Sequence, residues 1–148
     1  MAVISGDEKE KMIELFEKRG VNFYHGCQWV DFKTYCALKG LPSRRLMETE
    51  GLNFTKFTTD DSDKKNNVWN SVFGNLIDSG KPFANWGDDE FVATPNVFGP
   101  ILLVFKPSVF NYVEDVCIAL RSAGGLNFDR ELESLSTIEE INKIFQYE

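Results

Sequence analysis

Histidine is almost missing from this chain: His25 is the only one in 148 residues. A lone imidazole excludes two-histidine metal sites and the H-E-x-x-H zinc pattern, each of which needs a second ring. Cysteine is nearly as sparse. Cys27, Cys36 and Cys117 are odd in number and match no zinc spacing, so buried thiols in a reducing compartment are expected. A Cys–His nucleophile pair built on Cys27 or Cys36 finds no support in its neighbours. Long apolar runs are absent as well. The longest, "PILLVF", falls far short of the ~20 residues that span a bilayer. The opening "MAVISGDEKEKM" has acids where a secretory signal needs an unbroken apolar stretch, so a cytoplasmic location with no membrane partner is expected. Cations are in deficit too, 16 Lys and Arg against 23 Asp and Glu, for a net charge of −7. That balance works against tight non-specific nucleic-acid binding, which depends on neutralising phosphates. "RR" at 44–45 and "KK" at 64–65 remain as local basic pairs.

What is present is aromatic. Phe, Tyr and Trp make up 14% of the chain, thirteen of them Phe, within a hydrophobic share of 43%. That is ample material for one core, and a single domain over residues 1–148 is expected. Ser5 and Glu8 have capping-box spacing ahead of a helical stripe of Met12, Leu15 and Phe16, with Gly20 as its stop. "VNFYH" at 21–25 reads as a strand, with Val21, Phe23 and His25 on one face. Trp29, Phe32 and Cys36 predict a helix over 28–39 that ends at Gly40 before Pro42. "NFTKFT" at 53–58 predicts a strand and "TDDSDKKNN" an exposed loop. Val68, Trp69, Val72, Phe73, Leu76 and Ile77 give the clearest helical period in the chain, over 67–78.

The Gly- and Pro-rich stretch 80–100 predicts a long loop of the kind used as a lid. "PILLVF" then reads as a strand buried on both faces, 108–114 as a helical turn and "VCIAL" at 116–120 as a second buried strand. "RSAGGLNFDRE" is a loop, and the capping box of Thr137 and Glu140 starts a last helix through Ile141, Ile144 and Phe145. The fold class is α+β: small mixed sheets with flanking helices.

Several motifs fail on inspection. In "DDSDKKNN" a lysine, an asparagine and Val72 stand where a calcium loop needs a ligand, a glycine and a glutamate. "SAGG" lacks the spacing of a dinucleotide fingerprint, and "GDDE" at 87–90 reads as a solvated turn rather than a cation site. No metal is expected.

One constellation remains. A strand ends in "YHG", a helix follows, then "GLPSRRLME", and the chain's last residues are "IFQYE". This order resembles the ADP-ribosyltransferases, the DarT-type toxins in particular, most closely over residues 22–48. The resemblance implies an ADP-ribosyltransferase-like fold and an enzyme of toxin, defence or phage-related type. Such an enzyme transfers ADP-ribose from NAD, its substrate, to a protein or nucleic-acid acceptor. It implies that Glu148 stabilises the oxocarbenium-like state as the nicotinamide–ribose bond breaks. His25 would bond the adenosine ribose. Tyr24, Gly26, Arg44, Arg45 and Phe73 would complete the NAD site, Arg44 or Arg45 by pairing with the pyrophosphate and Tyr24 or Phe73 by stacking on a ring; Arg121, directly after a predicted strand, is a further candidate. In the family the glutamate's strand continues into others, whereas here it is the last residue. The readings that follow are a truncated enzyme, or a protein that keeps the nucleotide pocket without the chemistry. An alternative of another class is a small protein-interaction domain in which His25 is a core residue.

Overall fold

A computed structural model describes residues 2–78 and 98–146. Nearly all of the 80–100 loop, the "GDDE" cluster and Glu148 lie outside the described residues. The described chain is a mixed α/β structure of six helices, one of them a 3-10 helix, and two small antiparallel sheets. It groups into two compact units: Met1–Val21, Asp61–Val68 and Lys106–Glu148 in the first, Asn22–Asp60 and Trp69–Phe105 in the second. Mixed sheets were expected from the sequence, but both sheets pair only antiparallel strands.

The first unit is organised by helix α1, Gly6–Arg19. Its apolar stripe buries Met12, Ile13 and Phe16, and Phe16 meets Phe110 and Phe145 edge-on, each with ring centroids 6.3 Å apart. Acids in the first turn and Lys18 and Arg19 in the last complement the helix dipole. Gly20 ends the helix in the left-handed conformation, φ 66°. The expected capping box at Ser5 does not form, because Glu8 is engaged elsewhere. Its carboxylate pairs with Lys11 at 2.9 Å and accepts from the Ile138 N–H at 2.7 Å. The second box does form: Thr137 Oγ1 accepts from Glu140 N–H, and Glu140 accepts from Thr137 N–H, at the start of α5, Ile138–Lys143. The 3-10 helix Pro107–Tyr112 occupies the expected helical turn. "VCIAL" contributes only the two-residue strand β3, Ile118–Ala119, paired with β4, Ser134–Leu135. It is not a buried strand. Leu120 is 65% exposed, since so short a ladder covers little surface.

The second unit is built on β1, Phe23–Cys27, antiparallel to β2, Ile101–Phe105. The register sets Phe23, His25 and Cys27 opposite Phe105, Leu103 and Ile101. This is the inner face. Cys27, Ile101 and Leu103 pack with Tyr35 and Phe32 of α2 (Trp29–Leu38), Met47 of α3 (Arg44–Thr49), and Leu41, Leu52 and Phe54. The other face of β2 is open, with Val104 54% exposed, so the strand is not buried on both sides as its composition suggests. Gly99 lies at φ 138° beneath the carbonyl of Cys27, where any Cβ would collide.

Three further expectations are overturned. Residues 53–58 are irregular rather than a strand, the "TDDSDKK" loop contains helix α4 (Asp60–Lys65), and 67–78 forms no helix. Helix α4 has acids first and lysines last, the order that suits the helix dipole, and Asn67 ends the turn at φ 57°. In 67–78 the chain bonds to β1 instead of to itself. Asn75 exchanges both backbone hydrogen bonds with Tyr24, each 2.8 Å. Val68 and Trp69 are buried while Val72 and Ile77 face solvent, so the apolar stripe never becomes a helix face.

Helix α2 is anchored by Asp31, only 2% exposed. One carboxylate oxygen accepts from Thr55 N–H at 2.8 Å, and the other from Gln28 N–H at 3.3 Å as half of a capping box. Replacing Asp31 with Ala leaves both donors without an acceptor. Urea unfolding should show a loss of about 2 kcal/mol, against a much smaller loss for Asp129→Ala in an exposed turn.

Candidate functional site

The strand-borne histidine, His25, is held at both ring nitrogens. Its Nδ1 lies 2.5 Å from the carbonyl oxygen of Phe73, and its Nε2 lies 3.2 Å from the Tyr35 hydroxyl. A carbonyl only accepts, so Nδ1 carries the proton and Nε2 presents a lone pair to the phenol. Burial pushes the imidazole pKa below its ordinary value, opposed by the Phe73 carbonyl. The ring is therefore neutral near pH 7, in one tautomer and one orientation. Its own fold makes use of both nitrogens, as a packed core histidine would.

Burial also raises the pKa of the Tyr35 hydroxyl, with Asp31 adding to the effect, so the phenol remains a donor. The rings of His25 and Tyr35 sit 5.7 Å apart at 55°. Cys27 shares this strand face, and burial together with the Asp31 charge lifts its thiol to about 11. A thiol at that value is not an activated nucleophile, which leaves a Cys27–His25 pair without chemical support. The arrangement can exchange hydrogen bonds with hydroxyl groups. It is not tuned for proton transfer at neutral pH.

The arginines take different places. Arg44 is held in an aromatic enclosure, its guanidinium carbon 4.8 Å from the Phe57 ring centroid, 5.4 Å from that of Phe54 and 5.9 Å from that of Trp69. It donates to the Thr55 carbonyl and lies 4.0 Å from Asp60. Arg44 thus ties the irregular 53–60 segment to the unit and is committed to that task. Arg45 is exposed, with its backbone N–H on the Trp69 carbonyl. Arg121 belongs to the first unit, where it bonds Glu133 and the carbonyls of Leu126 and Asn127 and lies over Phe128. It organises its own loop.

Tyr24 neighbours His25 along the strand but faces the opposite side, paired with Val104. Gly26 shares that outer face, opposite Leu102. Phe73 meets His25 through its backbone carbonyl. The second unit therefore brings together His25, Phe73, Arg44 and Arg45, with Tyr24 and Gly26 on the far face of the same strand. Glu148 lies outside the described residues. Among the described residues no cluster of three His, Cys, Asp or Glu side chains is placed to hold a metal ion, and no helix is long and apolar enough to cross a membrane. An open groove of about 340 Å³ in the first unit is lined by Leu120, Leu135, Glu140, Lys143 and Ile144, none of them among the expected site residues.

Tyr35 and Asp31 are the residues that sequence reasoning missed. The signal was available: Gln28 and Asp31 have capping-box spacing, and Asp31 and Tyr35 are one helical turn apart on the face that meets β1. No protein-family model, curated protein or solved structure matches the chain.

Two outcomes follow from this geometry. Lysine at position 44 keeps the charge but loses the planar stacking and the fork of donors, so Arg44→Lys should destabilise the protein by about 1–2 kcal/mol in denaturant titrations. His25 has a lowered folded-state pKa, so the unfolded chain binds the proton first on acidification. Stability is whole above the ordinary histidine value of 6.5 and falls as pH drops below it toward the folded value. Since the chain has one histidine, His25→Gln should flatten the slope of unfolding free energy between neutral pH and the carboxylate range.

Proposed function

We propose that this chain is an ADP-ribosyltransferase-like protein that binds NAD, or a related ADP-ribose nucleotide, at the His25 strand and transfers ADP-ribose to a protein or nucleic-acid acceptor. The single observation that carries the reading is the state of His25. Its Nδ1 proton is committed to the Phe73 carbonyl, and its Nε2 is a fixed acceptor held only by a 3.2 Å bond from Tyr35. A neutral imidazole with one oriented acceptor suits a ribose hydroxyl in its donor role. The order "YHG", helix, "GLPSRRLME" in the sequence supports the same assignment.

The fit to NAD is uneven among the residues the resemblance names. His25 fits a ribose hydroxyl, and the exposed Arg45 fits the pyrophosphate as a charge-assisted donor. Arg44 does not fit that role, because its guanidinium is enclosed by Phe54, Phe57 and Trp69. Arg121 is bound within its own loop. The carboxylate under the developing positive charge falls to Glu148, by resemblance. A second reading, a nucleotide-binding protein without turnover, is favoured by a His25 imidazole whose pKa burial lowers and which is not tuned for proton transfer at neutral pH.

Incubation with NAD separates the two. Nicotinamide release that falls at least tenfold in Glu148→Gln supports transfer, whereas a thermal midpoint raised by NAD or ADP-ribose without release supports binding alone. If neither nucleotide raises the midpoint, both readings fall, because a ligand specific to the folded state must stabilise it.

A further inference from the structure

The nucleotide reading leaves unused the open groove of about 340 Å³ in the first unit, lined by Leu120, Leu135, Glu140, Lys143 and Ile144. We propose that this groove docks a peptide segment of a partner protein that presents neighbouring aliphatic side chains and one carboxylate. The aliphatic groups pack on Leu120, Leu135 and Ile144, and the carboxylate pairs with Lys143. None of these residues belongs to the unit of the His25 strand, so the inference does not rest on the nucleotide reading.

The apolar lining comes from short elements whose outer sides stay uncovered. The β3–β4 register sets Ile118 opposite Leu135, and the Leu120 N–H donates to the Glu133 carbonyl. Leu120 and Leu135 therefore emerge on one face of the ladder. Helix α5 commits Ile141 to the core, while Ile144 at its end is 43% exposed. Two more leucines, Leu126 and Leu132, are 80% and 79% exposed on the loop that joins the two strands. Arg121, next to Leu120 in the chain, ties that loop back through the Leu126 and Asn127 carbonyls and Glu133. A loop held this way is already ordered, so covering its leucines costs little further entropy. Exposed aliphatic groups gathered to this degree mark an interaction surface.

The occupant follows from openness and charge. With Leu120 and Ile144 so exposed, a small molecule would keep much of its surface in water, whereas small-ligand sites enclose most of theirs. A segment of another protein brings its own cover. The Glu140 carboxylate is committed to the N–H groups of Ser136 and Thr137. Lys143 forms no ion pair or side-chain hydrogen bond among the described residues, so the open charge of the groove is positive and calls for an acid. A second copy is a poorer fit. Each chain carries a net charge of −7, and a two-fold pairing of groove on groove would bring two Lys143 ammoniums together.

The test is selection of a random dodecapeptide library displayed on phage against the full chain. The enriched peptide is then synthesised and titrated by fluorescence anisotropy. Enriched sequences are expected to share neighbouring aliphatic residues and an acid. Leu120→Ser and Ile144→Ser should each weaken the synthetic peptide about tenfold, the size of one lost aliphatic contact. Exchanging the peptide's acid for its amide should cost wild type about threefold and Lys143→Gln nothing, as for an exposed ion pair. All three side chains are exposed, so the thermal midpoints should stay near that of wild type, and lost binding then reports the surface rather than the fold. Failure of any peptide to enrich overturns the proposal. So does an enriched peptide that binds Leu120→Ser and Ile144→Ser as tightly as wild type, or an acid whose removal costs Lys143→Gln as much as wild type. A dimer in sedimentation that Leu120→Ser dissolves gives the groove to a second copy and overturns the proposal as well. None of these results depends on whether the chain binds NAD.

Discussion

The hydrogen bond from His25 to the carbonyl of Phe73 joins pieces of chain that nothing local would bring together. It ties the middle of β1 to a segment 48 residues later. That same segment lies along the strand through the paired backbone bonds of Asn75 with Tyr24. On the strand's other side is β2. Between them, these contacts fix the face that His25 presents, the tautomer it adopts and the atom it leaves to Tyr35. A side chain that is unique in the chain thereby acts as both a packing element and an oriented acceptor.

Around that bond the second unit manages one buried charge, Asp31, and one half-buried charge, Arg44. Asp31 is satisfied by backbone donors from Gln28 and Thr55. Arg44 is satisfied by aromatic faces, the Thr55 carbonyl and Asp60. The two charges are served by neighbouring parts of the same irregular segment, so 53–60 needs no strand partner to be held in place. Its backbone groups find side-chain partners instead of a ladder. The buried thiol of Cys27 and the neutral His25 fit a setting where charge is admitted only with partners.

Much of the frame was legible in the chain itself. The α1 stripe, the Gly20 stop, the strand carrying His25, the capping box at Thr137 and the Pro107 turn all carry signals written within a few residues of sequence. The errors cluster where a local pattern competed with a distant partner. The apolar period of 67–78 belongs to a segment whose Asn75 bonds to β1, and the carboxylate of Glu8 was drawn from Ser5 to Ile138. The site was legible only in part. The alternation along "VNFYH" put His25 on the inner face, but its two partners lie ten and forty-eight residues away.

By itself the sequence determined the residue types that chemistry has to work with: one imidazole, no metal-ligand pattern, an acidic surface and an excess of aromatic rings. It also determined the helices and strands whose signals are local, because caps, breakers and periodic stripes act over a single turn. Only the tertiary structure decided what those residues do. It enclosed Arg44 rather than leaving it to an anion, turned Tyr24 away from His25, and gave His25 its tautomer through a carbonyl from a distant segment. Such outcomes depend on which buried donor meets which acceptor, and that pairing exists only once the chain has closed on itself.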